Sequence, residues 1–209
     1  MRLHSKLTRL SVAGFLVTSL LALPAAAQNA ATAATAARSN AVDVSAIRID
    51  NFGLVNPTYY RGAQPAGRDY TDLASLGVKT LINLTSDDAD ASEKAMAEHA
   101  GMKYFQIPMT THDVPTTAEL AEFLALVNDP ANQPVYVHCV GGRHRTGVMT
   151  AAYRMTHDGW TGTQAFAEMK QYKFGADFLH PEFKAFVQQY HPTPVVAATA
   201  AVAATKIGG

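Results

Sequence analysis

The sequence predicts an α/β fold, a three-layer αβα arrangement built on a mostly parallel central sheet. Three observations predict it. Short apolar or β-branched runs, VKTLINL (78–84), KYFQIP (103–108) and PVYVH (134–138), alternate with helix-like stretches. Alternation at this spacing favours parallel strands with helices on both faces. Finally, Gly77 and Gly101 stand where the first two helical patterns stop, as glycine does at helix C-termini.

In chain order, the segment AIRIDNFGLVNPTYYRG (46–62) predicts an extra strand. Helices are then expected near 67–76, 89–100, 116–128, 146–157, 161–172 and 180–189, with the three strands among them. The chain has 209 residues, 48% hydrophobic and 16% charged, which suits one folded domain. Its expected bounds are 46–190, with no internal repeat.

The ends read differently. Arg2, Lys6 and Arg9 precede the apolar run LSVAGFLVTSLLAL (10–23), followed by Pro24 and AAAQ. That is the plan of a secretory signal peptide, residues 1–27, cleaved after Ala27. The run is short of the roughly 20 residues that cross a bilayer, so no stable membrane insertion of the mature chain is expected. Its arginines are not paired, and no cysteine follows to take a lipid. Residues 28–45 form an Ala/Thr-rich linker and residues 191–209 a flexible tail. The expected location is the periplasm or the exterior.

Cleavage would leave 14 Lys/Arg against 17 Asp/Glu, a balance that argues against a nucleic-acid partner. The charge is uneven. Residues 61–130 hold 5 basic and 11 acidic side chains, and residues 140–184 hold 6 and 4. The basic excess surrounds Cys139, the only cysteine. In an exported protein such a residue is either apolar filler or a thiol kept for its reactivity.

Cys139 ends the run PVYVH and opens CVGGRHRTG, which leads into a helix. Gly141 and Gly142 let the backbone turn its N–H groups inward, and the helix start adds unpaired N–H groups and a positive dipole end. Such a loop cradles a phosphate-sized anion. Arg145 can bind two phosphate oxygens with its planar fork, and the same field favours a thiolate.

His138, Cys139, Arg145, Thr146 and Gly147 match the His-Cys-x5-Arg-Thr-Gly signature. On these residues the chain resembles the cysteine-dependent protein tyrosine and dual-specificity phosphatases. The upstream stretch FGLVNPTYYRGAQP (52–65) is similar to the entry segment of small bacterial members and of the atypical plant and fungal enzymes. The resemblance implies a dual-specificity-phosphatase-like fold, attack on phosphorus by Cys139, oxygen binding by Arg145 and assistance from Thr146 as the thiolate leaves. It also implies substrate binding along Val140, Gly141, Gly142, Arg143, His144 and Arg145. His138 reads either as a packed core residue or as one that orients the loop by hydrogen bonding.

A departing phosphoester oxygen needs a proton. The loop MTTHDVPTT (109–117) carries Asp113, 26 residues before Cys139, in the region where the family acid sits. Thr116 and Glu119 have the spacing of a capping box, which leaves Asp113 free for this task. His112 is the rival acid, and the loop lacks the Trp-Pro-Asp of the tyrosine-specific enzymes. Asp87 and Asp88 read as helix-start acids, Trp160 as core or partial surface, and Lys170 and Lys173 as solvated charges.

The scattered histidines offer no metal-ligand spacing such as His-Glu-x-x-His, so neither metal nor cofactor is expected. The leading expectation is an exported phosphatase forming a phosphocysteine intermediate, acting on a phosphorylated protein or small phosphoester. GRHRTG (142–147) also resembles the loop of the atypical enzymes associated with inositol pyrophosphates, so inositol polyphosphates remain an alternative. A non-catalytic phosphate-binding module and a rhodanese-like sulfurtransferase stand outside that class.

Overall fold

The computed structural model describes residues 44–86 and 89–192. The expected signal peptide (1–27), nearly all of the expected linker, Asp87, Asp88 and residues 193–209 lie outside the described residues. The segment expected to give one extra strand gives a hairpin, β1 (Gly53–Asn56) and β2 (Tyr59–Gly62). Pro57 and Thr58 turn between them, with Thr58 N and Oγ1 both donating to Asn56 Oδ1. There follow α1 (Asp69–Ser75), β3 (Thr80–Thr85), α2 (Glu93–His99), β4 (Lys103–Met109) and α3 (Thr117–Asn128). The remainder is β5 (Val135–His138), α4 (Arg145–His157), α5 (Gly162–Gln171), a 3₁₀ turn (Asp177–Leu179) and α6 (Pro181–Gln189).

The strands form one sheet in the order β1-β2-β5-β3-β4. Only the β1–β2 pair is antiparallel. The central strand β5 pairs with β2 on one side and β3 on the other, with His138 in register with Gly62 and Asn83. The carboxyl ends of β2, β5 and β3 therefore share one edge, where open α/β sheets collect ligands.

Successive side chains of a strand point to opposite faces, and β5 is buried on both. Val135 and Val137 join Ile82, Phe123, Val148 and Phe183 in a core roofed by α3, α4, α5 and α6. Tyr136 joins Tyr60, Leu81, Leu73 and Ala97 in a second core under α1 and α2. These two cores give the three layers.

The helix after Cys139, α4, is buried almost all round, from Arg145 through Tyr153. Such a helix cannot drift relative to the sheet, so the loop feeding it is held at both ends. Thr116 and Glu119 form the expected capping box at α3, worth about 1 kcal/mol for the cap side chain. A second box, Thr161 with Gln164, starts α5. Gly77 and Gly101 adopt φ of 91° and 86° just past α1 and α2, a region costly for residues with a Cβ.

Candidate active site

Cys139 follows β5 directly and is 2% exposed. The chain then rises through Val140–His144 and enters α4 at Arg145. The carbonyls of Val140, Gly141 and Gly142 are each engaged from outside the loop. Gln64 N donates to Val140 O at 3.1 Å. Asn51 Nδ2 donates to Gly141 O at 3.3 Å and to Gly142 O at 2.8 Å. Arg61 Nη2 adds a bond to Gly142 O at 2.9 Å. In a trans peptide the next N–H points opposite its carbonyl. With Val140, Gly141 and Gly142 carbonyls held outward, the N–H groups of Gly141, Gly142 and Arg143 turn toward the hollow of the loop. That is the geometry of an anion nest.

Asn51 and Arg61 were not singled out by the sequence. Asn51 lies 90 residues from the loop it clamps, and it sits at φ 56°, which Asn tolerates better than most residues. Arg61 is fully buried on β2, with its guanidinium 4.0 Å over the Tyr172 ring. Its Nε and Nη1 have no hydrogen-bond partner among the described residues. Burial pushes its pKa down, and attraction to Tyr59, Glu168, Tyr172 and Cys139 works against that fall. A buried cation behind the loop, without a bonded carboxylate, favours negative charge in front of it.

Gly142 combines φ 63° with the closest backbone approach in the loop. A Cβ there would lie 2.3 Å from the Gly62 carbonyl carbon and 2.4 Å from its oxygen. Backbone at the end of a central strand cannot step aside. Gly142→Ala is therefore expected to destabilise the protein by about 1–3 kcal/mol through overpacking, read as a lower melting temperature, and to reduce turnover in the protein that remains folded. Unchanged melting and turnover would contradict this packing.

Arg145 is 2% exposed and donates from Nη1 to Met109 O at 3.1 Å, tying the first turn of α4 to the end of β4. Thr146 is buried, and its Oγ1 has no hydrogen-bond partner among the described residues. Below the loop, His138 and Glu93 are both fully buried, with His138 Nε2 3.1 Å from Glu93 Oε1. The approach is close, but its angle is not that of a formed hydrogen bond. Glu93 Oε2 accepts from Asn83 Nδ2 and from Tyr104 Oη, the latter at 3.2 Å. Asn83 Oδ1 in turn accepts from Thr85 N at 2.7 Å. His138 thus lies against a polar network reaching across β3 to β4, with neither ring nitrogen in a formed hydrogen bond among the described residues.

The acid loop follows β4. Asp113 is exposed, and its Oδ2 accepts from Thr110 Oγ1 at 2.7 Å, while Asp113 N donates back to the same hydroxyl at 3.1 Å. His112, also exposed, shares this turn through its backbone N–H. The two rival acids are held on one short loop, and Met109 connects that loop to Arg145.

The basic side chains in the loop and after it are engaged in ion pairs at the surface. Arg143 is about half exposed, with Nη2 3.9 Å from Asp50, and Lys173 pairs with the same carboxylate. Lys170 and Lys184 both pair with Asp177, at 2.7 and 2.8 Å. His144 is bonded through Nε2 to Phe174 O at 3.0 Å, which fixes that nitrogen as the donor. Burial pushes its pKa below the usual histidine value; the carbonyl bond opposes this, and His180, Arg143 and Arg145 add to the fall. At neutral pH it is an uncharged ring rather than a further cation.

A strand-end cysteine under a nest of inward N–H groups, closed by a buried arginine, defines the cysteine-dependent phosphatase class. The sequence profile of the tyrosine phosphatase family matches residues 46–204, and the chain belongs to that family. The dual specificity protein phosphatase TpbA of Pseudomonas aeruginosa is 30% identical over 180 residues, 86% of this chain and 79% of its own. The inositol diphosphatase SIW14 of Saccharomyces cerevisiae is 26% identical over 157 residues, 73% of this chain and 53% of its own. The crystal structure of TpbA superposes with a TM-score of 0.59 at 29% identity, covering 72% of this chain and 89% of that one. The SIW14 catalytic core, solved with citrate, gives 0.60 at 25% identity, covering 68% and 86%.

Proposed function

We propose that this phosphatase hydrolyses phosphomonoesters, of the tyrosine or dual-specificity type, through a phosphocysteine intermediate. The observation that carries the reading is the outward fixing of the Val140, Gly141 and Gly142 carbonyls around Cys139. In the first step the Cys139 sulfur attacks phosphorus and the P–O bond to the alcohol breaks. Asp113 gives its proton to that oxygen. Arg145 and the loop N–H groups hold the three non-bridging oxygens as charge shifts onto them. In the second step water attacks phosphorus, Asp113 takes the proton, and the sulfur leaves with help from the Thr146 hydroxyl.

The internal pairing of Arg143, Lys170, Lys173 and Lys184, with an uncharged His144, favours a substrate carrying a single phosphate on protein or a small alcohol. Inositol polyphosphates form the second reading, favoured by the loop GRHRTG and by the relatives named inositol diphosphatases. Export rests on the N-terminal pattern of residues 1–27, and N-terminal sequencing of protein recovered from cell fractions tests it.

A phosphate-release panel with an aryl phosphate, phosphopeptides and an inositol polyphosphate, run in chelator, decides among these readings. Hydrolysis of the first two, blocked by vanadate, is expected, whereas release from the inositol compound alone would transfer the assignment. Asp113→Asn is expected to slow turnover of an alkyl phosphate by about 10², the usual scale of general-acid catalysis. A nitrophenyl phosphate, whose leaving group needs little protonation, should lose far less. Equal loss on both, or none on either, would remove Asp113 from the acid role.

A further inference from the structure

Four side chains from separate parts of the chain meet beside the phosphate loop. His112 belongs to the acid loop, His144 to the phosphate loop, and His180 and Glu182 to the start of α6. One ligand atom each from His112, His180 and Glu182 all lie within 4.8 Å of one another. His180 Nδ1 is 3.2 Å from Glu182 Oε1. The His144 ring packs 3.9 Å from the His180 ring, centroid to centroid, and the His112 ring lies 6.1 Å from it. Phe183 stacks on His180 at 5.8 Å and is itself fully buried, so the ring of His180 is set by packing.

We propose that His112, His180 and Glu182 form a binding site for a zinc-class divalent ion, and that the occupied site slows turnover by tying the acid loop to α6. Two imidazoles and one carboxylate are a ligand set for zinc and its neighbours in the first transition row, and leave a position open for water. Bonds of about 2.0–2.2 Å in a tetrahedron separate ligand atoms by roughly 3.3–3.6 Å. The three atoms need to close by about an ångström, within reach of side-chain rotation at the exposed His112. Glu182 supplies the one negative charge of the set, which offsets the repulsion that Arg143 and Arg145 exert on a cation nearby. Oxygen-loving magnesium or calcium finds too few oxygens here. The brake rests on the proposed acid role of the His112–Asp113 loop; the metal site does not.

The test separates the two. Cobalt(II), as a spectroscopic substitute for zinc, is titrated into full-length Cys139→Ser protein, so that the thiol cannot be the ligand. One equivalent with the visible bands of a four- or five-coordinate nitrogen–oxygen site is expected. His180→Ala and Glu182→Gln in the same background should each bind at least about tenfold more weakly. Unaltered binding in both, or none in the Cys139→Ser parent, overturns the site. In the second arm zinc is added to otherwise wild-type enzyme hydrolysing an alkyl phosphate. Inhibition that Glu182→Gln relieves, with its chelated activity unchanged, supports the brake. Inhibition equally strong in Glu182→Gln places the ion on the thiolate and overturns it, as does saturation of the site without loss of turnover.

Discussion

Cys139→Ser is expected to lower turnover to under about 10⁻³ of wild type on every phosphomonoester, because a hydroxyl is a far poorer nucleophile than a thiolate at neutral pH. The fold should survive, since the side chain is small, 2% exposed and among Val137, Val148 and their neighbours, where an oxygen for sulfur exchange changes little volume. The nest is made by backbone held from Asn51, Arg61 and Gln64, none of which involves the sulfur. Vanadate or phosphate should therefore still bind, seen as a raised melting temperature. Residual activity above a few per cent would move the nucleophile elsewhere, and loss of anion binding with the fold intact would separate the nest from the site.

Arg145→Lys carries the second large effect. The guanidinium stands at the end of the Val140–His144 loop and donates to Met109 O at 3.1 Å, so one planar group joins that loop to the strand end that precedes Asp113. Lysine keeps the charge, but its tetrahedral ammonium cannot offer two parallel donors to phosphate oxygens. Removing one such contact costs about 10²–10³ in turnover at preorganised anionic sites, and a drop of that size in kcat is expected. Burial also penalises a lysine there, so circular dichroism and melting should accompany the kinetics. A kcat within about twofold of wild type would remove Arg145 from the transition state.

The parts that were legible in the sequence are contiguous. Cys139, Gly141, Gly142, Arg145 and Thr146 stand within eight positions, and the strand before them and helix after them follow from local pattern. The capping box at Thr116 and the helix stops at Gly77 and Gly101 are equally local and form as expected. The supports of the loop were not legible. Asn51 and Arg61 carry no local signal in the sequence, and only the folded chain brings them to the Gly142 carbonyl. Glu93 was not singled out either, and it is fully buried close to His138. Lys170 and Lys173, expected as solvated charges, are exposed but ion-paired to Asp177 and Asp50. The histidine cluster escaped for the same reason. His112 and His180 are separated by α3, β5, α4, α5 and the 3₁₀ turn, so no spacing rule along the chain relates them.

The covalent intermediate is the centre of the account. The direct measurement is quenching of the enzyme in denaturant at mildly alkaline pH within milliseconds of mixing with a phosphorus-labelled aryl phosphate, followed by peptide mapping of the label. Label is expected on the peptide containing Cys139, held through a P–S bond, and absent from the Cys139→Ser protein. Label on a histidine such as His138, His144 or His112, or turnover at full rate with no protein-bound label at any time, would contradict it.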